Sequence, residues 1–258
     1  MQNIYPLFEH NRILKKELLE ALRDYSFLHT QIEYQEYGQG ILRGCDIRVE
    51  NGEIIIGPGI IKYGQMICLM KEGGRVAYEP VGQLQYLKIK IEAKDFSPAY
   101  RVYEMKLVLD TNGNMEENEF ELCRFHLKKG AKLRTQYTCL SDMETEYDTV
   151  NPIYASWGGL GGPGLSPVIT RYFAERILES DNSSPEDRSF ALLCLSQPGA
   201  VPMKVLSAYM GQRIGGEIQT GVSNTNMFHA MCTIADQLNG GIKKNFVKGK
   251  GRHMILVD

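Results

Sequence analysis

Residues 27–70 constrain the fold of this chain more than any other segment, because turn residues divide short apolar stretches at close intervals. The segment contains an Asn51-Gly52 dipeptide and a Gly57-Pro58-Gly59 triplet. Asn-Gly accepts the positive φ angles of a tight hairpin, and proline interrupts a strand ladder because it lacks an N–H donor. This pattern is typical of short strands and predicts a compact β-module, in which the Gly57-Pro58-Gly59 triplet makes a bend or bulge between paired strands. It contains no motif for bond-making chemistry.

The order of these signals resembles a segment near the N-terminus of many proteins of phage tails and related contractile injection systems. There, a helix ends in a turn with an aromatic residue and a histidine, and two strands follow, the second with a Pro-Gly pair. The matching residues are Leu28 and His29 in the turn, Gly40, Ile41, Leu42, Gly44, Cys45, Asp46 and Ile47 in the first strand, and Ile54, Ile56, Pro58, Gly59, Ile60 and Tyr63 in the second. The resemblance covers roughly the first third of the chain. It implies a baseplate or fibre-attachment component.

Composition limits the other function classes. The 258 residues are 43% hydrophobic and 23% charged, which is typical of a folded globular chain. A formal net charge of −2 gives no general attraction to nucleic acid or anionic membranes. The apolar runs are too short to span a bilayer. The first residues lack a basic-then-apolar leader, so we expect synthesis in the cytoplasm.

The six cysteines indicate neither a zinc knuckle nor a redox pair, because no two are separated by two or three residues. Most of them lie in apolar stretches, and we expect buried free thiols. The five histidines form no His-x-x-x-His pair. The sequence therefore predicts no metal and no cofactor.

The N-terminal segment, residues 1–30, is predicted to contain a helix over residues 11–27, with Asn11 as N-cap. Three- and four-residue spacing places several apolar residues on one face. We expect this face to be buried on the β-domain or on a partner. Its members are Leu14, Leu18, Ala21, Leu22 and Tyr25.

Residues 31–140 have a period of two and predict an antiparallel β sandwich or small barrel, which makes the fold class α+β. Residues 86–91 alternate apolar and charged side chains, and residues 100–109 and 119–127 do the same. The polar stretch 110–114 predicts a hairpin or short loop between the last two strands.

Residues 141–165 are predicted to be an acidic and Gly-rich linker, in which Trp157 anchors the connection by packing. Residues 166–258 are predicted to form a smaller, mainly helical domain. Its helices are expected at residues 166–180, 184–196, 202–210 and 224–238, and residues 252–258 could add a strand. The first of these helices has an apolar face of Val168, Tyr172, Ile177 and Leu178.

Two patterns leave alternatives open. The glycines of residues 158–164 precede a helix and could hold an anion, although no Lys-Ser or Lys-Thr follows as in a P-loop, and a turning connector fits better. His229 and Cys232 share a helix face, yet apolar neighbours favour core packing over a nucleophile pair. We therefore predict no catalytic residue.

A basic cluster with one aromatic residue lies near the C-terminus. It could bind single-stranded nucleic acid, although the net charge of −2 argues against this, and a basic hairpin that contacts an acidic surface on a partner subunit explains the cluster equally well. The cluster comprises Lys243, Lys244, Phe246, Lys248, Lys250 and Arg252, with His253 beside it.

The sequence as a whole predicts a structural subunit of a phage-like contractile tail, oligomeric within a particle and bound to other tail or baseplate subunits. The predicted partner-binding residues are Leu14, Leu18, Leu22, Trp157 and the basic cluster. The alternatives are an enzyme or ligand-binding protein with an anion pocket at residues 158–164, and a nucleic-acid-associated protein that uses the basic cluster.

Overall fold

The computed structural model describes residues 7, 10, 13–97, 100–215 and 223–240. An N-terminal helix precedes antiparallel sheets and then further helices, so the predicted α+β class is confirmed. No sheet in these residues closes into a barrel, which fits a sandwich.

The helices are α1 (Lys16–Tyr34), α2 (Pro167–Glu179), α3 (Pro185–Ser196), α4 (Met203–Ile214) and α5 (Asn224–Leu238). The strands are β1 (Gly40–Gly44), β2 (Ile47–Glu50), β3 (Glu53–Ile56), β4 (Gly59–Tyr63), β5 (Met66–Met70), β6 (Gly74–Ala77), β7 (Leu84–Ser97), β8 (Tyr100–Asp110), β9 (Glu119–His126), β10 (Trp157–Gly159) and β11 (Gly162–Gly164).

The strands form three sheets with the orders β11-β10-β1-β4-β5, β2-β3-β6 and β8-β7-β9. Neighbouring strands are antiparallel except β1 and β10, which run parallel and pair Ile41 with Trp157. The β2–β3 hairpin turns at Asn51 (φ 52°) and Gly52 (φ 80°). Both angles are those of the tight turn that the Asn-Gly pair predicts.

The Gly57-Pro58-Gly59 segment connects two different sheets, so its predicted place between paired strands is wrong. Gly59 lies opposite Gly44 in the first sheet. A Cβ atom on Gly59 would lie 2.3 Å from the Sγ atom of Cys45, whereas a Cβ atom on Gly57 would meet only ordinary contacts of 3.6 Å or more. The close approach of Cys45 is the reason for glycine at residue 59.

Substituting Gly59→Ala should lower the free energy of unfolding by about 1–3 kcal/mol, because the added methyl group overpacks the contact with Cys45. Gly57→Ala, two residues away, is the matched control and should change it by no more than about 0.5 kcal/mol. Urea denaturation of both variants measures the difference. Equal stability of the two variants would contradict the close approach.

The loop after β8 also differs from its prediction, since β8 and β9 lie on opposite edges of β7 and form no hairpin.

A buried lysine of β7 holds this loop. The Lys88 Nζ atom donates to the Asn114 carbonyl at 3.1 Å and lies 3.3 Å from Asp110 and 3.5 Å from Glu119. One ammonium group therefore joins both ends of the connection.

Two hydrophobic cores organise the molecule. One lies between helices α2–α5 and includes Leu140, Met143 and Ile153. The other lies between the sheets, and Val150 and Trp157 pack in it. The segment predicted as a linker, residues 141–165, is thus folded, because it supplies side chains to both cores. The division of the chain into domains at this segment stays a prediction.

Asp142 shows why the acidic part of that segment is ordered rather than a solvated loop. Two guanidinium nitrogens of Arg134 donate to its carboxylate oxygens at 2.8 Å each, and the Thr138 N–H donates at 2.8 Å. Arg134 and these hydrogen bonds outweigh the burial of the carboxylate and lower the pKa of Asp142 to about 2. The stretch is therefore fixed by a partly buried ion pair that sequence composition did not indicate.

The helices differ from their predictions mainly in extent and in the buried face. α1 begins after Lys15 instead of Asn11, which lies outside the described residues, and it ends at Tyr34, beyond the predicted end at residue 27. α4 continues to Ile214. The buried residues of α2 include Ile169, Phe173, Ala174 and Ile177, whereas Val168 and Leu178 of the predicted face are exposed. The strand predicted at residues 252–258 lies outside the described residues.

Candidate assembly surface

Helix α1 exposes a run of large apolar side chains. Phe27 and Ile32 are each 64% exposed and Leu28 is 53% exposed, whereas Tyr34 is buried at the C-terminal end. Large contiguous apolar patches on a protein surface mark places where another molecule binds. We call this set the α1 surface: Ile13, Leu14, Leu19, Leu22, Tyr25, Phe27, Leu28 and Ile32, all exposed.

The helix has few internal sources of stability. It has 19 residues, its N-cap residue Lys15 makes no side-chain capping bond, and its last turn has no basic residue. The exposed Lys16–Glu20 ion pair at 3.3 Å contributes only about 0.2–0.5 kcal/mol. Most helical stability in proteins comes from packing of an apolar face. Helix α1 therefore has the composition of a helix that packs against a partner.

The predicted burial of Leu14, Leu18 and Leu22 against the β-domain is wrong. Leu14 and Leu22 are exposed, and Leu18 is half-buried. Burial of these residues on a partner stays a prediction. The apolar surface also continues to Leu28 and Ile32, which were missed because the predicted helix ended at residue 27.

A buried lysine fixes the C-terminal end of α1 to the first sheet. The Lys62 Nζ atom, in β4, donates to the carbonyl oxygens of Tyr34 (2.8 Å), Gln35 (2.9 Å) and Tyr37 (2.7 Å). These three bonds use all three donors of an ammonium group, and its charge lies at the negative end of the helix dipole. Burial lowers the pKa of Lys62. We call this arrangement the Lys62 clamp.

The Gly-rich segment forms a hairpin that lies against the residues after α1. The Gly38 N–H donates to the Gly159 carbonyl at 2.9 Å, and the Gly161 N–H donates to the Glu36 carbonyl at 2.8 Å. Trp157 is half-buried and packs against the β core. The hairpin and the Lys62 clamp together hold the base of α1, and the rest of the helix projects its apolar residues.

Close packing accounts for Gly158 and Gly164, and the positive φ angles of Gly161 (80°) and Gly162 (150°) account for those two glycines, without an anion. A Cβ atom on Gly158 would lie 2.3 Å from the Gly38 carbonyl oxygen, and one on Gly164 would lie 2.5 Å from the Ala200 Cβ atom. Strands β10 and β11 pair with each other. The backbone amides of Gly38 and Gly161 likewise bond to protein carbonyls, so these groups do not face a ligand.

Among the described residues, the structure shows no hydrogen bond between His229 and Cys232, and His229 has a carboxylate partner instead. The His229 Nε2 atom lies 2.8 Å from Glu144 Oε2. Burial, together with nearby carboxylates, raises the pKa of the Cys232 thiol to about 12, so the thiol is protonated at neutral pH. Four of the other thiols are buried as predicted, whereas Cys139 is exposed.

The remaining predicted site residues lie elsewhere. Lys243, Lys244, Phe246, Lys248, Lys250 and Arg252 fall outside the described residues. Within the described ranges, no three His, Cys, Asp or Glu side chains come together as a metal site. None of the helices described there is long and apolar enough to cross a membrane.

Comparison with known proteins gives weak structural similarities only. No family model matches the chain, and no curated protein matches it. A crystal structure of TssK aligns with a TM-score of 0.40 and 8% identity, over 91% of this chain and 71% of that chain. The TssK-TssF-TssG baseplate subcomplex of the type VI secretion system, determined by cryo-electron microscopy, aligns with a TM-score of 0.38 and 9% identity, over 92% of this chain and 99% of that chain.

Proposed function

We propose that this protein is a structural subunit of a phage-tail-like contractile particle, at its baseplate or fibre attachment, and that it acts by protein–protein assembly without catalysis. The exposure of the α1 surface is the main support for this proposal. Apolar side chains on a projecting helix contribute to stability only when another surface covers them. The subunit is made in the cytoplasm and binds other tail or baseplate subunits.

The sequence resemblance supports the same kind of particle. Leu28 and His29, which were assigned to the turn after a helix, lie instead within the C-terminal half of α1, because the helix continues to Tyr34. The strand motifs coincide with β1 and with the β3–β4 connection. The resembling residues of β1 and β4 therefore belong to the sheet that carries the Lys62 clamp. In this proposal the β-domain positions the helix and the helix makes the contact.

The test is recovery of partners from the native host with the tagged full-length protein, followed by mass spectrometry. Wild type should recover tail or baseplate subunits, and the variant Leu28→Glu/Ile32→Glu should lose most of them. Leu192→Glu is the control, because Leu192 is an equally exposed leucine on α3. Recovery as a lone protein that turns over a small metabolite would contradict the proposal.

A further inference from the structure

We propose that Lys88 and Asp110 condense to form an isopeptide bond within the chain, and that Glu119 carries the protons that the reaction moves. The three side chains come from three neighbouring strands, β7, β8 and β9, of which β7 is central. The Lys88 Nζ atom lies 3.3 Å from Asp110 and 3.5 Å from Glu119. The bond forms inside one chain, so this proposal goes beyond the assembly function and does not depend on what covers the α1 surface.

The register of the sheet brings these three side chains to one face. Lys88 pairs with Val108 of β8 and with Glu121 of β9. Asp110 and Glu119 each lie two residues from those partners, so their side chains share the face of Lys88 and lie diagonally across from it. The contact is therefore a consequence of strand pairing.

The ammonium group of Lys88 is enclosed, with a side chain that is 1% exposed. In the part of the chain that the structure describes, the other lysines paired with carboxylates are each 25% exposed or more: Lys16, Lys90, Lys94 and Lys106. An enclosed site admits little water, which disfavours hydrolysis of the bond. Groups held together in a good orientation also react as if their concentration were about 10⁵–10⁸ M. Both conditions favour condensation at Lys88.

The reaction joins an ammonium group to a carboxylate with loss of one water molecule. Glu119 takes one proton from Lys88 and passes it to Asp110, and the amine nitrogen then attacks the Asp110 Cγ atom. A second proton follows the same route to the departing oxygen, which leaves as water. The nitrogen keeps its third hydrogen, and Glu119 ends as the carboxylate that it was at the start. Atoms and charges therefore balance without another reactant.

Two hydrogen bonds in the structure suit this reaction and its amide product. The Asn112 N–H donates to Asp110 Oδ1 at 3.0 Å, and it would stabilise the negative charge that develops on this oxygen during the attack. The Oδ1 atom then becomes the amide oxygen, and Oδ2 leaves. The Lys88 Nζ atom donates to the Asn114 carbonyl at 3.1 Å, a bond that the remaining N–H of the amide can keep.

Glu119 is in the right form to accept a proton. Burial opposes its ionisation, but the hydrogen bond from the Glu116 N–H and the charges of Lys88 and Lys90 outweigh burial and lower the pKa of Glu119. It is therefore a carboxylate at neutral pH, 3.5 Å from the nitrogen that must lose protons.

Intact-mass spectrometry of the purified full-length protein, after denaturation, tests the bond. Wild type should fall below the mass of its sequence by one water molecule, whereas Lys88→Arg and Asp110→Ala should have the full mass of their sequences. Lys106→Arg is the control, because it changes an exposed paired lysine of β8 and should keep the loss. Wild type at its full sequence mass after prolonged incubation would leave only an ion pair and overturn the proposal, whether or not a variant folds.

Peptide mapping identifies the two residues that are joined. Trypsin cleaves the chain between them, for example after Lys94 and Arg101, so the bond should appear as two peptides linked through Lys88 and Asp110. A loss of water without this linked species, as from a cyclic imide at an aspartate, would overturn the proposal. Glu119→Gln should yield little of the linked species, and a wild-type yield would overturn the role of Glu119 as proton carrier.

Discussion

The variant Asp187→Ala should lose about 2–5 kcal/mol of unfolding free energy, because it removes a buried carboxylate that caps one helix and accepts hydrogen bonds from another. Asp187 is fully buried in the first turn of α3. Its Oδ1 atom accepts from the Tyr209 hydroxyl at 2.6 Å and from Arg213 Nε at 3.1 Å, and both donors belong to α4. The carboxylate therefore joins two helices, and its removal leaves the buried Tyr209 hydroxyl and the half-buried Arg213 side chain without this acceptor.

The same residue completes the capping box of α3. The Ser184 N–H donates to Asp187 Oδ2 at 2.9 Å, and the Asp187 N–H donates to Ser184 Oγ at 3.2 Å. Loss of a cap alone costs about 0.5–2 kcal/mol. The Tyr209 ring, which orients its hydroxyl toward Asp187, stacks on Phe190 with centroids 3.8 Å apart. The substitution should thus loosen the α3–α4 contact as well as the helix start.

Glu186→Ala is the matched control, since Glu186 is the exposed carboxylate next to Asp187 in the same helical turn. It should change stability by no more than about 1 kcal/mol, the scale of a helix-dipole contact. Urea denaturation at pH 7 measures both variants. A loss at Asp187→Ala no larger than at Glu186→Ala would contradict the network.

The stability that Asp187 contributes should change with pH in a defined direction. Burial opposes ionisation of Asp187, but the bonds from Tyr209 and Ser184 and the charge of Arg213 outweigh it and lower its pKa. The folded state therefore binds this proton less readily than the unfolded chain. The difference between wild type and Asp187→Ala should be complete above about pH 4, near the usual pKa of an aspartate, and shrink as the pH falls further.

Local sequence signals predicted which segments form helices and strands better than they predicted which strands pair with one another. The Asn51-Gly52 turn, the Ser184 helix start and the alternating strand at residues 86–91 are each encoded by neighbouring residues. The sheet in which a strand pairs is not encoded in that way. β3 and β4 were assigned to one pair although they belong to different sheets. A Gly-Pro-Gly sequence is compatible both with a bend between paired strands and with a connection between two sheets.

The sequence did not predict the buried polar groups or the close contacts of the backbone. Lys62 and Asp142 have the composition of surface residues, and only tertiary contacts show that Lys62 binds three carbonyls and Asp142 binds Arg134. The glycines of residues 158–164 resemble a flexible connector, since flexibility and close packing call for the same residue. The apolar spacing of α1 was visible in part, but its true end and its exposure depend on the clamp at Lys62.

Lys62→Met should release α1 from the first sheet while the sheets stay folded. The substitution keeps an unbranched apolar side chain and removes the three donors to Tyr34, Gln35 and Tyr37. The Tyr34 carbonyl keeps the Tyr37 N–H as a donor at 3.1 Å, and the bonds to Gln35 and Tyr37 are only partly buried. The contact between helix and sheet should therefore weaken by about 1–3 kcal/mol, less what water recovers. Among the described elements α1 packs mainly against β5, so the response should be local.

Hydrogen exchange followed by mass spectrometry measures this response. Peptides from residues 28–37 should exchange much faster in Lys62→Met, whereas peptides from β7 should keep the wild-type rate. Lys71→Met is the control, because it removes an exposed ammonium group from the turn after β5. Unchanged exchange over residues 28–37 would show that the clamp does not fix the helix.

The clamp also determines how the α1 surface is presented. A helix held at its base is already ordered and oriented before it meets a partner. This preorganisation lowers the conformational entropy cost of binding. Lys62→Met leaves every residue of the α1 surface unchanged, so contact chemistry alone predicts normal assembly. We expect instead that recovery of partners from the host falls, because the released helix must be ordered at each encounter. Full recovery with a released helix would show that the α1 surface binds without the clamp.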